Sequence, residues 1–251
     1  MANDSGETDL WLFGYGSLIW KPPPHYDLRV PGYIEGYVRR FWQASEDHRG
    51  TPEAPGRVVT LIAREHWETL TDHHASAPPK VWGAAYRIPS THVAEVKEYL
   101  DIREINGYSI QYTPFTPANQ STLPTLSSKP SNGNPISQGL ITHPPPHPSP
   151  SSSSSSSPPS AQINCLVYIG LPNNPQFLGP QNPQLLAEHI AQSQGPSGLN
   201  SEYLYQLEKA LDALSEESGD EHVWDLARRC REVERGEKGK VEKGEVERNG
   251  V

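Results

Sequence analysis

The sequence predicts an α+β fold, in which a small mixed or antiparallel, barrel-like β-sheet has helices packed at one side. Strand-type segments, rich in β-branched and aromatic residues, dominate the first half of the chain, and helical apolar spacing dominates the part after residue 180. Runs of strands followed by runs of helices are typical of this class. The chain of 251 residues is long enough for one hydrophobic core, even without its Pro- and Ser-rich middle segment.

The first predicted strand is the apolar run Leu10–Tyr15, which breaks into Gly14-Tyr15-Gly16-Ser17 and then turns apolar again. A second strand, 32–44, contains Gly36, where we expect a bulge or a tight bend. Similar β-branched or alternating runs predict further strands at 57–63, 81–88, 108–116 and 163–170.

Four helices are predicted from apolar residues at helical spacing. Three of them cover 91–101, 183–194 and 221–234. The fourth begins at a cap on Asn200 or Ser201 and carries Leu204, Leu207, Leu211 and Leu214.

Low-complexity composition divides the remaining chain. We expect a single domain over 10–235, interrupted by a disordered Pro/Ser-rich insertion at 117–160, and a disordered charged tail at 236–251. If the strands on either side of the insertion pair, it is an overgrown hairpin loop, because the cost of loop closure grows slowly with length.

Composition excludes several classes of function. The net charge of −9 comes without a basic stripe, which argues against nucleic-acid binding. We expect no membrane segment and no secretory signal, since no apolar run reaches about 18 residues. Two isolated cysteines, Cys165 and Cys230, suggest a reducing compartment. We therefore expect a soluble, cytoplasmic protein.

The Gly14-Tyr15-Gly16-Ser17 turn is the first candidate site. Its backbone N–H groups could face a carboxylate or a developing oxyanion, but two glycines after a strand are more often only a tight bend. The spacing fits neither a dinucleotide fingerprint nor a phosphate loop.

Glu104 is the second candidate, because it lies between a predicted helix and a strand, where a carboxylate can enter a pocket and act as an acid or base. Asp47 and His48 look like a catalytic pair, although a hydrogen-bonded loop is the commoner outcome. The other histidines lack metal-ligand spacing, and we expect no metal site. From the residues alone, the reaction stays open.

An ordered set of motifs resembles the ChaC-like γ-glutamylcyclotransferases. The motifs are Phe13–Lys21, Arg39–Gln43, Asp47–Gly50, Pro55–Leu61, Val81–Gly83, Ala85–Arg87, Tyr99–Glu104, Gly107-Tyr108, Val167–Gly170, Asn174-Pro175, Leu178–Pro180 and Gly195–Gly198. The likeness covers 10–112 and 163–230. The chain departs from the family pattern at Ile105, Asn106 and Leu199.

The resemblance implies the γ-glutamylcyclotransferase fold and a lyase-type reaction without a cofactor or metal. The γ-glutamyl group of glutathione would cyclise to 5-oxoproline and release cysteinylglycine. By match, Glu104 would be the catalytic carboxylate, and Tyr15, Gly16, Ser17 and Leu18 would bind the substrate. Two alternatives stay open: a cyclotransferase for other γ-glutamyl amino acids or amines, and a non-catalytic γ-glutamyl-binding module. Turnover, oligomeric state and regulation are not predicted.

Overall fold

The computed structural model describes residues 8–103, 108–119 and 163–249, with side chains described for 8–100, 108–119 and 163–236. Its strands are β1 (Leu10–Gly14), β2 (Leu28–Glu35), β3 (Tyr37–Ser45), β4 (Gly56–Ala63), β5 (Lys80–Ile88), β6 (Ser109–Pro117), β7 (Ile163–Ile169), β8 (Gln194–Gly195) and β9 (Gly198–Leu199). Its α-helices are α1 (Arg64–Trp67), α2 (Val93–Arg103), α3 (Pro183–Gln192), α4 (Asn200–Asp212) and α5 (Glu221–Asn249), and 3₁₀ turns lie at Ser17–Ile19 and Ser90–His92. Except for its first three residues, the predicted insertion lies outside the described residues.

A closed five-stranded barrel forms the centre of the fold, in the order β1-β5-β2-β6-β7. The adjacent pairs are antiparallel, and β7 closes the barrel on β1 through a parallel pairing of Leu12 with Leu166. The predicted α+β class with a mixed, barrel-like sheet is confirmed. Strands β6 and β7 pair from Ser109 opposite Ile169 to Phe115 opposite Ile163, so 118–162 connects neighbouring strands as a hairpin loop does.

Alternate residues of β1 enter two different apolar clusters. Phe13 packs with the large cluster that also contains Phe115, Leu204 and residues of α3 and α5. Leu12 faces the other way, into a cluster covered by Val96 and its neighbours on α2. This period-2 alternation places β1 between two apolar layers.

The predicted strand at 32–44 is two strands, because the chain bends at Gly36. Gly36 has φ +82°, a left-handed conformation that a side chain disfavours. The bend sends β2 into the barrel and β3 into a separate two-stranded sheet with β4.

Two helix boundaries also differ from the prediction. Helix α4 begins after Leu199, and the Asn200 side chain bonds to Arg57 rather than capping its own helix. Helix α5 continues to Asn249, past Gly236, where we expect a disordered tail. The tail is rich in Glu, Lys and Arg, which have high helix propensity and can extend an established helix. In the described part of the chain, no helix combines the length and the apolarity that a membrane crossing requires.

Helix α5 is attached to β3 through a buried polar cluster. The buried His222 accepts a hydrogen bond at Nε2 from the backbone N–H of Phe41 at 3.0 Å, and its Nδ1 lies 3.1 Å from Nδ1 of His74. His74 Nε2 lies 2.9 Å from the Asp225 carboxylate. Burial, followed by the charges of Arg40, His74 and Arg39, holds the pKa of His222 well below its ordinary value, so the ring is neutral.

Both cysteines are free and buried in the large apolar cluster. Burial raises the pKa of the Cys230 thiol to about 11 and raises the pKa of Cys165 further still.

Candidate active site

A cavity of about 340 Å³ opens at the end of β1, beside the predicted glycine turn. All four residues predicted to bind substrate, Tyr15, Gly16, Ser17 and Leu18, line it. The other lining residues are Phe13, Gly14, Trp20, Lys21, Ala44, Ser45, Asp47, His48, Arg49, Val58, Val59, Tyr99, Tyr108, Tyr168, Gln176, Ser197 and Tyr203.

The turn folds back closely on the strand before it. A Cβ on Gly14 would lie 2.5 Å from Cβ of Leu18, so only glycine fits there. The 3₁₀ turn is closed by hydrogen bonds from Ile19 N to Gly16 O and from Lys21 N to Ser17 O. The start of this turn, Gly16, Ser17 and Leu18, lines the cavity, so the first peptide groups of a helical turn lie at the cavity wall.

Tyr15 is buried, and its side chain reaches β7, the strand beside β1 in the barrel. Its hydroxyl donates a hydrogen bond of 2.8 Å to the backbone carbonyl of Tyr168 on β7. The side chain therefore anchors the turn to the barrel beside the cavity, which both Tyr15 and Tyr168 line.

The opposite wall is the loop 45–50, which the hairpin of β8 and β9 holds in place. Ser197 N donates to the carbonyl of His48 at 2.9 Å. Gly195 lies so close to the backbone of His48 and Gly50 that a Cβ there would collide with it. Two motifs that are about 150 residues apart in the sequence thus form one wall.

Arg49 supplies a buried positive charge in this wall. Its Nη1 donates to the carbonyl of Leu199 at 2.7 Å and lies 3.5 Å from the Glu202 carboxylate, and the guanidinium sits over the ring of Tyr203. Both of these polar contacts use one nitrogen of the guanidinium, and Arg49 is among the residues that line the cavity. Leu199 departs from the family pattern, but it accepts this hydrogen bond through its backbone carbonyl. The contact with Arg49 therefore does not depend on the side chain at position 199.

Asp47 and His48 also line the cavity, together with Ser197. His48 Nδ1 lies 3.2 Å from Ser197 Oγ, and its Nε2 lies 3.8 Å from the Asp47 carboxylate. The histidine and the aspartate are about half exposed, at 49% and 39%. This is the hydrogen-bonded loop that the sequence favours, with Ser197 as an added partner.

Glu104 lies outside the described residues. The described residues around it are informative, because Tyr99 on α2 and Tyr108 just before β6 both line the cavity. Described residues on both sides of Glu104 in the sequence therefore line the cavity.

Sequence reasoning missed several contributors to the pocket. Tyr203 on α4 and Tyr168 on β7 reach the cavity from elements that we expected to serve the core. The role of Asn200, predicted only as a helix cap, was also missed: its amide accepts from Arg57 N at 2.6 Å and donates to Arg57 O at 2.7 Å, which fixes α4 against β4. Two sequence features could have pointed to these pocket residues: the paired glycines Gly14 and Gly16, and the Gly195–Gly198 motif.

A family model described as ChaC-like protein matches residues 10–233. The chain belongs to the ChaC-like family. The match spans both described halves of the barrel and all the motifs that surround the cavity.

Characterised relatives carry a consistent name. A Schizosaccharomyces pombe glutathione-specific gamma-glutamylcyclotransferase is 40% identical over 227 residues, which cover 90% of this chain and 94% of the relative. Human glutathione-specific gamma-glutamylcyclotransferase 1 is 31% identical over 88% of this chain and 78% of the relative.

A solved structure agrees with the fold. The crystal structure of a yeast gamma-glutamylcyclotransferase specific to glutathione matches with a TM-score of 0.69 at 33% identity, over 90% of this chain and 97% of the yeast chain. The barrel and its helices are therefore shared with this yeast gamma-glutamylcyclotransferase.

Proposed function

We propose that this protein degrades glutathione by cyclising its γ-glutamyl group to 5-oxoproline with release of cysteinylglycine. The family membership and the names of the relatives, which cover most of this chain, support the proposal. The reaction is an intramolecular aminolysis, of lyase type, and it requires no cofactor.

One structural observation carries the assignment of the site. The glycine turn and the two tyrosines on either side of Glu104 line the same cavity. Glu104 lies between these two tyrosines in the sequence, so we expect its carboxylate to act on a group that the turn holds. This supports Glu104 as the catalytic group and Tyr15–Leu18 as the substrate-binding turn.

The turn and Arg49 suit the two ends of a γ-glutamyl group. Backbone N–H groups at the start of a helical turn stabilise negative charge, so the turn can bind the γ-carbonyl oxygen as it becomes an oxyanion. The guanidinium fork of Arg49 matches a carboxylate of the substrate, because arginine binds carboxylates with two parallel hydrogen bonds. Holding both ends folds the substrate so that its own amine approaches the amide carbon.

Glu104 would move the protons. It takes one from the α-ammonium group, and the freed amine attacks the γ-carbonyl carbon, forming a new carbon–nitrogen bond. As the tetrahedral intermediate collapses, the amide bond to cysteinylglycine breaks. Protonated Glu104 then gives its proton to the leaving nitrogen, so the carboxylate is regenerated. The extra proton on the new ring nitrogen passes to the released amine, which leaves as an ammonium group.

We expect Glu104→Gln to abolish 5-oxoproline release, because an amide cannot accept the ammonium proton. A loss of about 10²- to 10⁴-fold is typical for a missing acid–base group. The measurement is product analysis after incubating purified protein with glutathione. Glu98→Gln is the matched control, since Glu98 is an exposed glutamate on α2. Retained activity in Glu104→Gln, with the fold confirmed by circular dichroism, would remove Glu104 from this role.

Substrate choice is tested in the same assay. If other γ-glutamyl amino acids or amines are turned over faster than glutathione, the pocket serves the broader cyclotransferase reaction.

A further inference from the structure

A three-residue cluster of histidine and glutamate lies outside the cavity. His25 Nε2 is 3.0 Å from one oxygen of Glu95, and His92 Nδ1 is 3.4 Å from the other oxygen. The three ligand atoms lie within 4.8 Å of one another.

Two separate segments bring these side chains together. His92 and Glu95 are three residues apart at the start of α2, a spacing that puts both on one helix face. His25 comes from the loop that follows the three prolines after Lys21, and it adopts a positive φ of 58°. The same loop is tied to the barrel by an ion pair of 2.7 Å between Asp27 and Arg87.

We propose that His25, His92 and Glu95 bind one divalent transition-metal ion of the zinc class, with water in the remaining position. Imidazole nitrogen and carboxylate oxygen are the ligands that such ions prefer, and three protein ligands with one open position form a common zinc arrangement. From the sequence we expect no metal site, because His25 and His92 are 67 residues apart and neither belongs to a metal-ligand motif.

The distances are close to those a metal requires. Zinc bonds of about 2.0–2.1 Å in a tetrahedron separate neighbouring ligand atoms by about 3.3–3.4 Å. The two nitrogen–oxygen distances, 3.0 and 3.4 Å, already bracket that value. The imidazole rings are stacked and parallel, with centroids 4.3 Å apart, so one ring must turn before both lone pairs converge. Their side chains are 37% and 42% exposed, which leaves room for this rotation.

A metal here would connect two walls of the cavity. The loop that carries His25 begins after Trp20 and Lys21, and α2 carries Tyr99, and all three of these residues line the cavity. A bound ion would hold α2 against this loop, so it would stabilise the folded protein as well as occupy a surface site.

The test is a zinc titration of untagged, metal-free protein against a competing chromophoric chelator, without glutathione. We expect one equivalent of zinc to bind, and to raise the thermal unfolding temperature. His92→Gln should weaken binding by at least about tenfold, because even the indirect partners of metal ligands contribute about 10- to 100-fold. His73→Gln is the matched control, since His73 is exposed and outside the cluster.

Glu95→Gln serves as a second variant that keeps the helix and removes the charged ligand. Weaker binding in both cluster variants, with the control unchanged, supports the site. Wild-type protein that binds no stoichiometric zinc, or cluster variants that bind as tightly as the control, would overturn it. Because the readout is binding, it is independent of whether the protein cyclises glutathione.

Discussion

Gly14 shows how a single missing side chain shapes the cavity. The 3₁₀ turn can fold back on β1 because nothing projects from Gly14 toward Leu18. The sequence marks this glycine as unusual, but spacing alone did not distinguish a tight bend from a binding turn. The distinction requires knowing which distant residues face the bend, here Val59 and Tyr203, and local sequence does not contain that information.

We expect Gly14→Ala to impair activity and stability together. The added Cβ would stand 2.5 Å from Cβ of Leu18, so the turn must move. Overpacking of this kind costs about 1–3 kcal/mol, and a misplacement of about 1 Å in a site can cost about 10²-fold in rate. Chemical denaturation and kcat/KM for glutathione measure the two effects. Gly236→Ala is the control: its Cβ meets open space in α5, and we expect a gain of up to about 1 kcal/mol. Full activity in Gly14→Ala would show that the turn tolerates displacement.

At the scale of elements, apolar patterns predicted most strands and helices, and errors occurred where tertiary contacts decide. Gly36 was identified as a bend, but not as the point where the chain leaves the barrel for another sheet. Asn200 has the chemistry of a helix cap, yet it bonds to the Arg57 backbone because α4 lies against β4. Trp224 has core-type chemistry but is 46% exposed, with its indole N–H bonded to Asp212.

The contact between α5 and β3 makes stability depend on pH. Folded His222 stays neutral to well below pH 6.5, whereas in the unfolded chain it takes up a proton near its ordinary pKa of 6.5. Unfolding therefore takes up a proton below that pH, so the free energy of unfolding falls as the pH drops. The slope has a limit of about 1.4 kcal/mol per pH unit for one group.

We expect His222→Gln to have a shallower slope than wild type, because glutamine does not titrate. Urea unfolding at pH values between about 7 and about 5 measures this, with His73→Gln as the exposed control. An unchanged slope in His222→Gln would assign the pH dependence to other groups. The variant should also lose stability at neutral pH if its amide does not reach the Phe41 N–H, since an unpaired buried donor costs about 1–3 kcal/mol.

At the scale of the whole molecule, the barrel collects motifs from both ends of the chain around one cavity. The family resemblance predicted which motifs belong together. The fold shows the contacts that join them: the hairpin of β8 and β9 packs against loop 45–50, and Asn200 hydrogen-bonds to the backbone of β4. The residues alone reached only the fold class and a possible anion-binding turn, because convergence of this kind depends on topology.

The register of β6 and β7 predicts that the Pro/Ser-rich insertion is dispensable for catalysis. Replacing 120–160 with a short Gly/Ser loop should preserve kcat/KM for glutathione, because Phe115 and Ile163 are already paired. Stability should rise by at most about 2 kcal/mol, since each halving of loop length recovers about 0.6 kcal/mol. Lost activity would place the insertion in the site. Unchanged activity with loss of a binding partner would assign the insertion an interaction role, as the non-catalytic alternative requires.

The two buried thiols have a consequence for an enzyme that handles a thiol substrate. Disulfide exchange requires a thiolate that can reach the other sulfur. The chain contains two cysteines, and both are buried and hold their protons to high pH. The folded protein therefore offers no accessible thiolate that could attack glutathione disulfide. Oxidative stress would therefore lower this activity by depleting reduced glutathione, the substrate. Glutathionylation of either cysteine would require the protein to unfold locally around the buried thiol.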